Sequence, residues 1–136
     1  MSIILKSNVA YTGDKKLKSV IPSVMTADQY FTGYKNRVIA DGGYIVDEAK
    51  TLATIQFLFS NDLISRSTSI VSSKYGLKLD GGKVTKLYGL DGVDLVAVLH
   101  GTGDYYTIDS TDGSLKPYTS TFSNANGCLY QSEKPV

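Results

Sequence analysis

The chain is predicted to be an α+β protein, on three observations. Residues 26 to 73 carry apolar side chains at three- and four-residue spacings, the period of a helix with one covered face. Residues 76 to 130 change to short alternating runs broken at Gly81-Gly82, Asp91-Gly92, Gly101 to Gly103 and Asp112-Gly113, the pattern of strands joined by turns. The connections between those runs are too short for the crossovers that parallel strands need, so the sheet should be mostly antiparallel. The expected order is an extended N-terminal arm over 1–25, a helical module over 26–75 and a β-rich module over 76–136, with 26–136 forming one compact domain.

Within the arm, Ile3, Ile4, Leu5, Val9, Tyr11, Leu17, Val20, Ile21, Val24 and Met25 follow neither a 3.6-residue nor a sustained two-residue period, and Thr12-Gly13-Asp14 reads as a turn. An arm this apolar needs a surface to lie on, either its own domain or a neighbouring subunit. Thr26 is positioned to cap the first helix, with Gln29 three residues on as in a capping box. Tyr30, Phe31, Tyr34 and Val38 then share one face, and Gly33 among them costs roughly 1 kcal/mol relative to Ala, which points to a close neighbour or a packing demand. Asp41-Gly42-Gly43 ends this helix with residues that tolerate positive φ.

The second helix is expected to begin at Asp47 and Glu48, where the helix dipole favours negative charge. Ala49, Leu52, Ala53, Ile55, Phe57, Leu58, Phe59 and Leu63 make it apolar around much of its circumference, so it is expected to be central. The hydroxyl-rich stretch from Ser65 to Ser73 is read as a short helix or turn. Strands are expected at Leu77–Leu79, Val84–Tyr88, Val93–Leu99, Tyr105–Ile108, Leu115–Thr119 and Cys128–Tyr130. Val93–Leu99, the most β-prone, is expected at the centre of the sheet.

Composition narrows the function classes. With 136 residues the chain can bury roughly two thirds of its unfolded surface, so folding requires no metal or disulfide. Fourteen basic residues against 13 acidic ones leave a formal charge of +1, which supplies no field to draw in nucleic acid or anionic lipid. Lys15, Lys16 and Lys18 form a local exception that reads as a solvated face. No run approaches the ~20 apolar residues of a membrane helix. The lone Cys128 cannot pair internally and the opening Met1 to Lys6 has no signal-like pattern, so the protein is expected to be made and kept in the cytoplasm, or to assemble there. Ten Tyr and four Phe without Trp favour half-buried contact surfaces.

No reactive constellation stands out, so no catalytic residue, cofactor or metal is assigned. His100 beside Gly101-Thr102-Gly103-Asp104 would be a general base or ligand only with Asp104 or Asp94 to orient it, and it has no second His or thiolate at ligand spacing. A Cys128–His100 dyad would need the two to meet in space. Gly101-Thr102-Gly103 and Gly81-Gly82-Lys83 lack the spacing and ending of a phosphate loop. Asp109-Ser110-Thr111-Asp112-Gly113 lacks the ligands of a calcium loop and reads as a hairpin turn, and the frame Tyr105 to Asp109 then Asp112 to Leu115 resembles one hairpin of a quinoprotein-type propeller blade. Tyr105, Tyr106, Tyr118 and Phe122, near Asp104, Asn124 and Asn126, are expected to form a subunit contact or, as the alternative, a sugar-stacking surface.

Three stretches resemble virion structural proteins of tailed bacteriophages: Met1 to Asn8, the run Tyr34-Lys35-Asn36-Arg37-Val38-Ile39-Ala40-Asp41-Gly42-Gly43, and Lys83-Val84-Thr85-Lys86-Leu87-Tyr88-Gly89-Leu90-Asp91-Gly92. In that group an arm and an ADGG helix–helix module precede a β-rich part, and KLYGLDG is similar to the entry into a lectin-like sandwich of longer relatives. Too few residues follow Lys83 for such a sandwich, which needs ~100. The resemblance therefore implies an accessory virion piece, such as a head decoration, a neck component or the attachment end of a tail fibre. Such a subunit would form a homo-oligomer, bind other virion proteins through Ile3, Leu5, Val9 and Tyr11 of the arm, and carry no enzymatic activity. A small carbohydrate-binding module recognising a host-surface glycan is the alternative.

Overall fold

Helix α1 (Ala27–Ala40) starts where Thr26 allows it to start. A computed structural model describes residues 24–67, 69–117 and 127–133. In it the Gln29 amide donates to Thr26 Oγ1 at 3.2 Å while the Thr26 amide donates to Gln29 Oε1 at 2.9 Å, so the first turn satisfies two of its free donors reciprocally. The helix closes with the Gly42 amide on the Ile39 carbonyl (3.0 Å) and the Gly43 amide on that of Val38 (2.9 Å), a Schellman pairing with Gly42 at φ +80°.

A two-residue strand, β1 (Tyr44–Ile45), follows, and then helix α2 (Glu48–Ser60), capped by Asp47, whose carboxylate accepts from the Lys50 amide at 2.9 Å. The sequence pattern marked no strand at β1, because two residues are too few to show a period. Helix α2 is not central. It packs along α1, and only Thr51, Ile55 and Leu58 are buried, while Ala49 and Ala53 face solvent and Phe57 is 59% exposed. A helix with one main neighbour needs one apolar stripe, and the apolar residues outside that stripe stay on the surface. The stretch after α2 is a turn at residues 64–66 rather than a helix, and Ile70 accepts a hydrogen bond from the Leu90 amide at 2.9 Å.

The sheet comprises β1, β2 (Gly76–Asp80), β3 (Lys83–Tyr88), β4 (Leu95–His100), β5 (Thr107–Ile108), β6 (Leu115–Lys116) and β7 (Gly127–Ser132), all paired antiparallel among the described residues. The main path runs β1-β2-β3-β4-β7, with the β5–β6 hairpin joined to β3. Asp80 pairs with Lys83 across Gly81-Gly82, whose φ values of +56° and +82° are those of a two-residue type I′ turn. The centre of the sheet is β3, not the Val93–Leu99 run. Propensity ranks residue types, whereas position depends on which edges find partners, and β4 ends with Leu99 39% exposed.

Register assigns the two faces. Gly76 lies opposite Tyr88 on one face, and Leu77, Leu87 and Leu95 line up on the other. The helices cover the first, where Tyr34, Val38, Ile55 and Leu58 pack with Tyr88 and Leu90. On the second, Leu77, Val84 and Leu87 pack with Val71, Ile108, Leu115 and Tyr130, so the β5–β6 hairpin closes the far side. The expected helical and β-rich parts thus share one core cluster.

Candidate functional site

The densest group of charged side chains lies where the end of α1 meets the helix-facing side of β2 and β3. Alternation along the strands puts Lys78 and Lys86 on that face with Tyr88, and the α1 terminus carries Asp41 above them. Lys86 Nζ contacts Asp41 Oδ2 at 3.0 Å, Glu133 Oε2 at 2.8 Å and Asp94 Oδ2 at 3.5 Å, while Lys78 Nζ reaches Asp41 Oδ1 at 3.4 Å. Tyr88 donates its hydroxyl to Asp41 Oδ2 at 2.7 Å. A side chain on Gly43 would collide with the Tyr88 ring, its Cβ falling 2.5 Å from Cε2. Asp41-Gly42-Gly43 is therefore a single device: a carboxylate, a left-handed turn and a gap for the tyrosine.

Arg37, one turn earlier on α1, holds the β3–β4 connection. Its Nη1 donates to both oxygens of Asp94, at 2.7 and 2.6 Å, and its Nη2 to the Gly89 carbonyl at 2.9 Å. The Gly89 amide returns a bond to Asp94 Oδ1 at 3.1 Å. The guanidinium also lies 5.5 Å from the Tyr34 ring centre and 5.7 Å from that of Tyr88, within cation–π range. Asp91 accepts from the backbone amides of Ser69, Ile70 and Val93, tying the same turn to the chain after α2.

Electrostatically this cluster is closed. Arg37, Lys78 and Lys86 face Asp41, Asp94 and Glu133, so its formal charges cancel. The hydrogen bonds from Tyr88 and then Lys86 hold the Asp41 carboxyl down at about 2. Burial works against the Lys86 ammonium, but its bonds to Glu133 and Asp41 outweigh that and its pKa rises. Burial, followed by the bond to Asp41, pushes the Tyr88 phenol well up. Each shift favours the protonation state that the pairing requires. The cleft beside the cluster measures about 290 Å³, at the lower limit of small-molecule pockets, and its walls include Arg37, Asp41, Lys86, Asp94 and Glu133, all committed to one another. The arrangement joins the end of a helix to the sheet.

The residues singled out from sequence behave differently. Tyr106 is half-buried, its ring centre 5.9 Å from that of Tyr130, whose hydroxyl donates to the Val84 carbonyl at 2.8 Å. Tyr105 is half-buried next to Asp104. Tyr118 and Phe122, like Ile3, Leu5, Val9 and Tyr11 of the arm, lie outside the described residues. Asp104 takes both oxygens to Lys83 Nζ at 2.8 Å and Asp94 serves Arg37, so neither orients His100, which is exposed. Leu99 pairs with Cys128 and His100 with Gly127, so Cys128 and His100 point to opposite faces of the β4–β7 ribbon and form no dyad. Burial raises the Cys128 thiol pKa, away from thiolate character. Among the described residues no three His, Cys, Asp or Glu side chains are grouped to hold a metal, and no helix is long and apolar enough to cross a membrane.

Comparison with protein-family models, with curated proteins and with solved structures finds no match.

Sequence reasoning missed Arg37, Asp41, Lys86 and Asp94 as a group. The available signal was that the Tyr34 to Gly43 and Lys83 to Gly92 stretches each carry one Tyr, two Gly and charges of both signs. In the fold these two stretches are the ones that meet.

Proposed function

We propose that the chain is a non-enzymatic structural subunit of a tailed-phage virion, which binds neighbouring subunits through its N-terminal arm. The observation that carries this reading is the division between polar and apolar groups. The charged side chains of the densest cluster are neutralised internally, while large apolar side chains remain outside: Val24 is 88% exposed, Met25 56% and Leu129 61%. A surface with internally paired charge and exposed apolar anchors is suited to protein contacts. The glycan-binding alternative draws less support, because Tyr106 already packs against Tyr130.

The test is absolute mass in solution across a concentration series, for the full chain and for a variant lacking residues 2–12. The expected result is a discrete oligomer for the full chain and a folded monomer for the deletion. An oligomer that persists without residues 2–12 would remove the arm from the proposal.

A further inference from the structure

A second hollow, of about 250 Å³, runs along α1 between Tyr30, Gly33 and Tyr34 on the helix, Met25 just before its cap, and Leu90 and Gly92 on the β3–β4 connection. Its polar lining is already engaged. Tyr30 donates to the Leu90 carbonyl at 2.5 Å, Tyr34 to the Tyr88 carbonyl at 3.0 Å, Gln29 belongs to the helix cap and Arg37 to Asp94. What this groove offers a visitor is aliphatic and aromatic surface, suited to aliphatic side chains and not to a polar ligand.

Gly33 sharpens the point. A glycine inside a helix costs roughly 1 kcal/mol, and the usual return is close packing by a neighbour. Here the glycine is exposed, and a Cβ on it would meet nothing within 4 Å. The space it preserves is the floor of the groove.

The chain itself supplies a candidate occupant. Residues 1–23 join the described fold at Val24, next to Met25 on the groove wall, and they begin with the aliphatic run Ile3-Ile4-Leu5. From Leu5 to Val24 an extended chain spans up to ~60 Å at ~3.3 Å per residue. That is several times the ~13 Å radius of gyration of a domain this size. A segment that leaves from the groove's own edge must double back to fill it, whereas its far end readily reaches another copy.

We infer that the α1 groove of one copy receives Ile3-Ile4-Leu5 from the arm of a second copy. The inference rests on the reading of the chain as a self-assembling subunit and names the acceptor for its arm. Each copy donates one arm and accepts one, so reciprocal exchange closes a two-fold dimer, whereas one-way exchange generates a ring if it closes or an open chain if it does not.

Two full-length experiments test it. In the first, Gly33→Leu fills the groove and improves the helix. The oligomer is expected to dissociate while Tm stays level or rises by a few degrees. In the second, a Leu5→Cys chain is mixed with an isotopically labelled Gly33→Cys chain and oxidised. Peptide mapping is expected to find residues 5 and 33 joined between chains of different mass. If deletion of residues 2–12 dissolves the oligomer but Gly33→Leu does not, or no inter-chain 5–33 link forms, the groove is not the acceptor and the arm reading survives. A doubly substituted chain that links only within itself also overturns the inference. A monomeric wild type, or an oligomer indifferent to the arm, removes both.

Discussion

The two faces of the central strands are held by different means. On the helix side, buried Tyr34 and Tyr88 and half-buried Tyr30 carry hydrogen bonds to the Tyr88 carbonyl, Asp41 and the Leu90 carbonyl, with the Arg37–Asp94 pair beside them. On the far side, Leu77, Val84 and Leu87 meet Ile108 and Leu115 through side chains that have no polar atom. Apart from the Tyr130 hydroxyl on the Val84 carbonyl, the far side is held by area and shape, so its stability is forgiving of orientation and sensitive to lost volume. The helix side is directional. Each tyrosine fixes a distance and an angle, and losing one oxygen there leaves a buried partner exposed to the cost of being unpaired.

The comparison is tested first on the far face, where the largest effect is expected. Leu77 is fully buried, and Leu77→Ala should cost about 3 kcal/mol through lost transfer energy and the cavity left behind, read from the denaturant midpoint. A loss below about 1 kcal/mol would mean that this face collapses freely and contributes little. Next comes Tyr34→Phe, which keeps the ring and removes one oxygen. The Tyr34 hydroxyl accepts from the Gly76 amide at 2.9 Å and donates to the Tyr88 carbonyl at 3.0 Å, so about 2 kcal/mol should go without loss of packing. If the two substitutions were to reverse in rank, the contrast between a packed face and a directional face would not hold.

The smallest effect concerns pH. Asp41 titrates at about 2 in the folded chain, below its usual 3.8, because Tyr88 and Lys86 hydrogen-bond the charged form. A folded value below the unfolded one means that the contribution is complete above about 4 and lost as pH falls through about 2. Wild-type Tm should therefore drop over that interval more steeply than that of Asp41→Asn, and parallel acid limbs would show that the pairing is energetically idle. Asp41 is solvent-facing enough that the difference should be modest.

The elements were legible in the sequence where the local pattern carries its own physics. Thr26 with Gln29, Asp47 with Glu48, Asp41-Gly42-Gly43 and Gly81-Gly82 mark helix ends and a hairpin through hydrogen bonds and φ values fixed within a few residues. What depended on distant partners was not legible. Phe57 reads as core by type and stays outside because α2 has one main neighbour, and Val93–Leu99 reads as central although β3 has more strands to pair with. The charged joint was hidden for the same reason. Arg37 and Asp94 are 57 residues apart, and nothing near either one announces the other.

The Tyr34 hydroxyl stands between an amide of β2 and a carbonyl of β3 that lie opposite each other in the register. One crossbar of the sheet is thus completed by a side chain from the helix, so α1 cannot lift away while the first pair of β2 and β3 stays whole. Hydrogen exchange at Gly76 then becomes a clock for the helix: its amide opens at the rate at which α1 undocks, and the helix and the first strands form one cooperative unit of opening.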